Sequence, residues 1–238
     1  MDSAGICRPC RMAPPPFERA VSFGCYEGRM RDAIHALKYG RLHPAARRLG
    51  EMLAQAIGQL AVEAPAEMLV IPVPLHRSKY AERGFNQARL LAKHALAALR
   101  RTHPGWRLTL AQSAVVRLRA TQSQASLSPH KRRKNVRGAF EVADAGVVAG
   151  KHILVIDDIL TTGATARSVA KELLRAGAED VWVATLARAR LNYRGRPNSV
   201  YSDRDYEGKE PGSSAADEAP ADARDPASMH SSQDQPSF

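Results

Sequence analysis

Ile153-Leu-Val-Ile-Asp157-Asp158-Ile-Leu-Thr161-Thr162-Gly163-Ala164-Thr165 decides how this chain is read. The apolar run within Lys151 to Ile156 predicts a strand buried on both faces, as in a parallel sheet. Two acids follow, then a small hydroxyl-rich loop, then helical spacing from Ala164 to Ala176 that Gly177 stops. In a parallel sheet, ligands gather at the carboxyl ends of the strands, so this order of elements locates a site. The backbone N–H groups of Thr161, Thr162, Gly163, Ala164 and Thr165 at a helix N-terminus, with no side chain at Gly163, suit one phosphate monoester. Asp157 and Asp158 would repel that phosphate if aimed at it; their expected role is to accept hydrogen bonds from the hydroxyls of an attached sugar. The ligand expected is therefore a ribose 5-phosphate. Threonines that merely cap a helix are common, but capping does not explain adjacent acids at a strand end followed by Thr-Thr-Gly-x-Thr.

Outward from this stretch, strands and helices alternate. Upstream, the pattern predicts a strand over Ala20 to Tyr26, a helix over Arg29 to Tyr39 ending at Gly40, and a second helix after Pro44. In that second helix Ala46, Leu49, Leu53, Ile57 and Leu60 share one stripe. A strand over Met68 to Leu75, a polar loop over Arg77 to Asn86 and a helix to about Arg101 come next. Strands are expected over Leu108 to Leu118, Ala139 to Val142 and Val181 to Leu186. Such alternation indicates an α/β fold with a mainly parallel central sheet.

The chain has 238 residues, which at roughly 150 residues per domain fits one domain with appendages. With 44% hydrophobic and 25% charged residues it is neither wholly disordered nor collagen-like. No apolar run approaches the roughly 18 residues of a membrane span, Met1 to Cys10 lacks the pattern of an export signal, and three cysteines do not make a disulfide framework. A cytoplasmic location is expected.

The formal net charge is +11, unevenly spread: from Asp203 to Phe238 there are nine acids and three bases. The remainder is strongly basic and would gather phosphorylated or other anionic partners. Residues 1–16 are too short and proline-rich for a packed unit, 17–190 form the expected domain, and 191–238, almost without large apolar side chains, are expected to be a disordered acidic tail.

A second stretch also suggests chemistry: Ile71-Pro-Val-Pro-Leu-His76-Arg77-Ser-Lys79-Tyr-Ala-Glu-Arg83-Gly84-Phe85-Asn86-Gln87. Arg77, Lys79 and Arg83 follow a strand, Gly84 lets the backbone approach a ligand, and three cations suit a pyrophosphate. His76 has a weaker case, as a strand-end contact, and Asn86 reads as a helix N-cap.

Together these motifs resemble a known family. Ile153 to Thr165 is similar to the phosphoribosyl pyrophosphate (PRPP) signature of type I phosphoribosyltransferases. Ile71 to Gln87 resembles the corresponding loop of the ComF family, the ComF- and GntX-like competence proteins with a phosphoribosyltransferase-like fold. Ala13 to Phe17, Leu37-Lys38-Tyr39-Gly40 and Gln124 to Phe140 are similar to it as well, so the resemblance spans about Cys7 to Arg188. It implies a type I phosphoribosyltransferase-like fold that binds PRPP, with Mg²⁺ carried by PRPP. The implied catalytic residues are Asp157 and Asp158, with the 5-phosphate on Thr161 to Thr165 and the pyrophosphate on Arg77, Lys79, Arg83 and Gly84. Transfer of phosphoribose to an acceptor that carries no motif is the implied activity. The alternative is a non-catalytic, nucleotide-sensing or single-stranded-DNA-binding protein working with the competence machinery in DNA uptake.

In related phosphoribosyltransferases a mobile loop closes over the substrate from the region that here holds Lys131-Arg132-Arg133-Lys134. Such closure would exclude water from the reacting sugar. The same cluster could instead hold a nucleic-acid backbone without sequence preference, though no aromatic side chain lies beside it to stack a base. Family members also carry a zinc ribbon with two C-x-x-C pairs. Cys7 and Cys10 supply one pair, so residues 1–16 read as a remnant of that ribbon; Cys25 is expected to be a small buried strand residue, and the zinc site to be incomplete.

Overall fold

The computed structural model describes residues 8–39, 43–120, 136 and 138–189. Its central sheet has five strands: β1 (Ala20–Cys25), β2 (Glu67–Pro72), β3 (Arg107–Leu110), β6 (His152–Leu160) and β7 (Asp180–Arg188). Their order is β1-β7-β6-β2-β3, and every neighbouring pair is parallel. Parallel pairs need crossovers, and here these are helical. α2 (Gly28–Tyr39) and α3 (His43–Gly58) lie between β1 and β2, α4 (Arg77–Arg83) and α5 (Gln87–Thr102) between β2 and β3, and α7 (Ala164–Arg175) between β6 and β7. A separate antiparallel ribbon pairs β4 (Val115–Arg117) with β5 (Phe140–Val142). Two short helices, α1 (Arg8–Met12) and α6 (Ala145–Val148), complete the described elements.

The alternation of side chains along β6 divides the core in two. Leu154 and Ile156 join Ile34, Leu53, Ile57 and Leu91 of α2, α3 and α5 on one face. Ile153 and Val155 join Val169, Ala170 and Leu173 of α7 on the other. All four β6 residues are fully buried, as expected of a strand covered on both faces. Fully burying an aliphatic side chain contributes about 1.5–3 kcal/mol, so the central strand is well anchored just ahead of its two acids.

The structure corrects four expectations. β6 does not end before the acids; it runs through Asp157 and Asp158 to Leu160, because ladder pairing with β7 continues to Arg188. The segment from Leu108 to Leu118 is two strands in different sheets, broken at Gln112 and Ser113; apolar residues on both sides of the break mask it in the sequence. The polar stretch from Arg77 to Asn86 holds helix α4. That helix buries no side chain and so has no apolar stripe to read. Cys25 is exposed at the end of β1 rather than buried.

Candidate active site

The site lies at the carboxyl edge of β6, where the chain turns into α7. Gly163 adopts φ +72°, the left-handed conformation that a side chain disfavours, and α7 begins at the next residue. Asp157, Thr161, Gly163, Ala164, Thr165 and Thr185 line a cleft at this point. The Oγ1 of Thr162, in the same turn but outside the cleft lining, is buried without a hydrogen-bond partner among the described residues. Thr185, in register with Asp157 on β7, shares a 2.7 Å hydroxyl contact with Ser22 of β1. A row of polar groups therefore crosses three strands.

The two acids part company. Successive strand residues point to opposite faces, and Asp157 lies on the α7 side while Asp158 turns towards α2. The Lys38 ammonium stands 2.8 Å from Asp158 Oδ2, with both side chains largely buried. Burial works against the Lys38 charge, but Asp158 outweighs it and the ammonium is held above its usual pKa. α2 is itself anchored, since the Tyr26 hydroxyl meets buried His35 Nε2 at 2.8 Å.

Asp157 is pushed up to about 7, first by burial and then by the charge of Asp158. Its Oδ1 accepts from the Asp158 N–H at 2.9 Å; that bond, Lys38 and Arg117 pull in the opposite direction. Arg117, from the β4–β5 ribbon, is half-buried; desolvation weakens its charge, Asp157 supports it, and its guanidinium lies 5.3 Å from the Phe140 ring centre.

Arg77, Lys79, Arg83 and Gly84 all fall on α4 or its cap. This helix leaves from the same sheet edge, for the Val73 N–H donates to the carbonyl of Ile156, the residue before Asp157. His76 caps α4 by accepting from the Ser78 N–H, and Gly84 closes it at φ +81°. Asn86 caps α5, its Oδ1 accepting from Ala88 and Arg89 and its Nδ2 donating to the Val73 carbonyl. Lys79 pairs with Glu82 at 2.7 Å. Arg83 donates to Gln87 Oε1 at 2.7 Å and lies over the Tyr39 ring, while Arg77 is exposed. The α4 cations thus stand beside the cleft and not in its lining.

Lys131, Arg132, Arg133, Lys134 and Cys7 lie outside the described residues, as does the tail beyond Ala189. Cys10 is half-buried on α1. Among the described residues, no three His, Cys, Asp or Glu side chains converge as a metal site, and no helix is long and apolar enough to cross a membrane.

The chain is similar to known proteins. The family described as phosphoribosyl transferase domain matches residues 82–213. The DNA utilization protein YhgH of Escherichia coli is 34% identical over 76% of this chain and 77% of its own length. Competence protein F of Haemophilus influenzae is 28% identical over 77% of this chain and 78% of its own length. The chain belongs to the ComF family of phosphoribosyltransferase-like proteins. Competence protein ComFC of Streptococcus pneumoniae is 35% identical over a shorter stretch, 51% of this ComF-family chain and 49% of its own length. The solved structure of the allosteric regulatory enzyme of purine biosynthesis overlaps 60% of this chain and 25% of its own, with a TM-score of 0.36 and 26% identity.

The fold expected from the strand–acid–threonine stretch is the one observed. Site residues that motif reading missed come from elsewhere in this ComF-family chain: Arg117, Thr185 with Ser22, and the pairing of Lys38 with Asp158. Only Lys38 had a signal, in the family-like Leu37 to Gly40 stretch; the others are single polar residues in short strands, without a spacing that marks them.

Proposed function

We propose that this ComF-family chain binds PRPP in the cytoplasm and that the cleft at the head of α7 holds its ribose 5-phosphate end. The observation that carries the reading is the juxtaposition of Asp157 with the Thr161–Thr165 turn at the carboxyl edge of a parallel sheet. In this reading the 5-phosphate takes backbone N–H groups at the turn into α7, and the Thr161 side chain in the cleft lining lies beside it. Asp157 accepts from the ribose hydroxyls, and Asp158, held by Lys38, sets the local charge and aligns the strand. The pyrophosphate extends towards Arg77, Lys79 and Arg83.

The donor set fits a magnesium ion that arrives with its ligand, since among the described residues Asp157 is the single carboxylate lining the cleft and no protein cage surrounds it. Bound there, Mg²⁺ would neutralise the pyrophosphate as it leaves. Transfer to an acceptor would then depend on positioning and charge stabilisation, without a dedicated nucleophile.

A second reading is nucleotide sensing or single-stranded-DNA binding without turnover, in the service of DNA uptake. It is favoured by the withdrawal of Asp158 into the Lys38 pair, which leaves one acid for the ribose.

Melting curves with PRPP and Mg²⁺, and assays of pyrophosphate release with a panel of bases and amines, test both. A ligand at a hundred times its Kd stabilises by about 2.7 kcal/mol, a rise in Tm of roughly 5 to 10 °C for a domain of this size. A rise with pyrophosphate release supports transfer; a rise without release supports sensing. No rise rejects PRPP as the ligand.

A further inference from the structure

Arg167 ties the N-terminal segment to the candidate phosphate turn. It is the fourth residue after Gly163, and its N–H donates to the Gly163 carbonyl in the first turn of α7. Side chains on a helix lean towards its N-terminus, so Arg167 reaches back over the turn. A β-carbon placed on Gly163 would lie 3.9 Å from Arg167 Nε. The two outer nitrogens of the guanidinium are engaged by the N-terminal segment. Nη2 donates to the Ala13 carbonyl at 2.7 Å and Nη1 to the Pro14 carbonyl at 2.9 Å.

This contact spans more than 150 residues of sequence. Pro14, Pro15 and Pro16 have no N–H to offer, and Arg167 takes two of the carbonyls of the segment that follows α1. Two neutral carbonyls are modest partners for an arginine. A phosphate dianion adds opposite charge and accepts two parallel bonds from the planar guanidinium fork, a match that two separate carbonyls do not offer. The Thr162 hydroxyl, one residue ahead of Gly163, is buried without a partner among the described residues.

We infer that Arg167 is a further phosphate-binding residue shared with the N-terminal segment: a phosphate ester in the Thr161–Thr165 turn competes with the Ala13 and Pro14 carbonyls for its guanidinium and loosens the segment. The inference rests on the phosphate reading of the turn. It adds a link between that turn and the cysteine-bearing α1.

The full-length chain tests it by the initial rate of tryptic cleavage after Arg11, read as fragments that begin at Met12. Arg8 precedes Pro9 and is not a competing site on α1. In the unmutated protein, saturating ribose 5-phosphate should raise this rate several-fold. Arg167→Ala should be cleaved at least tenfold faster than the unmutated protein without any ligand, since even one hydrogen bond to a charged group contributes about 1.5 kcal/mol or more, and ribose 5-phosphate should no longer change its rate. Arg167→Lys keeps the charge without the fork and should fall between the two. Each variant is first checked for a cooperative melt with the unmutated midpoint.

Equal cleavage of Arg167→Ala and the unmutated chain would show that Arg167 holds nothing and would overturn the inference. So would a Tm rise with ribose 5-phosphate in the unmutated chain that leaves cleavage unchanged. Absence of any Tm rise with ribose 5-phosphate or PRPP would instead reject the phosphate reading and the competition with it. In that case fast cleavage of Arg167→Ala would still establish the clamp.

Discussion

Asp157 and Asp158 are adjacent in sequence, yet they serve opposite faces of the sheet. Asp158 is bound to Lys38 at 2.8 Å among the helices of one layer, and Asp157 faces the cleft beside α7 in the other. One acid is structural in its surroundings and the other is available to a ligand.

Asp158→Asn should therefore be costly without any ligand present. It leaves the Lys38 ammonium buried and unpaired, which typically costs about 3–5 kcal/mol. Urea unfolding should show this loss, and a double change of Lys38→Met with Asp158→Leu should recover most of it, since well-packed apolar replacements of buried pairs are often neutral. A single Asn variant as stable as the parent would mean that the pair contributes nothing.

Asp157→Asn should behave differently. The folded-state pKa of Asp157, about 7, lies above its unfolded value of 3.8. Between these values the folded protein holds the extra proton, so this group's contribution is fully present below about pH 4 and is lost as pH rises towards 7. Denaturant unfolding at pH 5 and pH 7.5 should show a smaller drop in the Asn variant than in the parent. PRPP affinity should fall at least tenfold in the same variant, measured by calorimetry.

Thr162→Val keeps the shape of the side chain and removes a hydroxyl that has no partner among the described residues. Stability should be unchanged or slightly higher, because a buried unsatisfied polar group costs about 1–3 kcal/mol. Ribose 5-phosphate binding should weaken at the same time. Loss of stability with unchanged binding would place the hydroxyl in a structural role.

Gly50→Ala examines the helical layer that supports α2. A β-carbon on Gly50 would run into His94 Cβ and press on the backbone of Ala95 at 3.2 Å, where α3 crosses α5. The backbone cannot yield as a side-chain tip does, so the variant should lose about 1–3 kcal/mol by overpacking. Thermal unfolding measures this directly.

The central unit was legible because its signals are local. Ile153 to Ile156 can satisfy their preferences only inside a sheet, Gly163 supplies the left-handed turn, and the spacing of Val169, Ala170 and Leu173 gives α7 its buried stripe. α4 was illegible for the converse reason: with no buried side chain it leaves no periodic trace, and its start rests on a His76 cap that composition does not reveal. The end of β6 was misplaced because two acids look like a strand terminus. Pairing with β7 and the Lys38 charge make that position tolerable for Asp158.

The sequence by itself determined the α/β class, the family, and the strand–turn–helix unit that presents N–H groups to an anion, since each depends on residues within a few positions of one another. Only the tertiary structure decided which acid meets the cleft. That outcome depends on how far the β6 ladder extends and on which layer covers each face, and these are settled by partners such as Lys38, Arg117 and Thr185 that lie between 28 and 119 residues away from Asp157. Chain distance hides such pairs, whereas burial makes them strong: in a desolvated interior, a charge from a remote element acts on its neighbour with little screening.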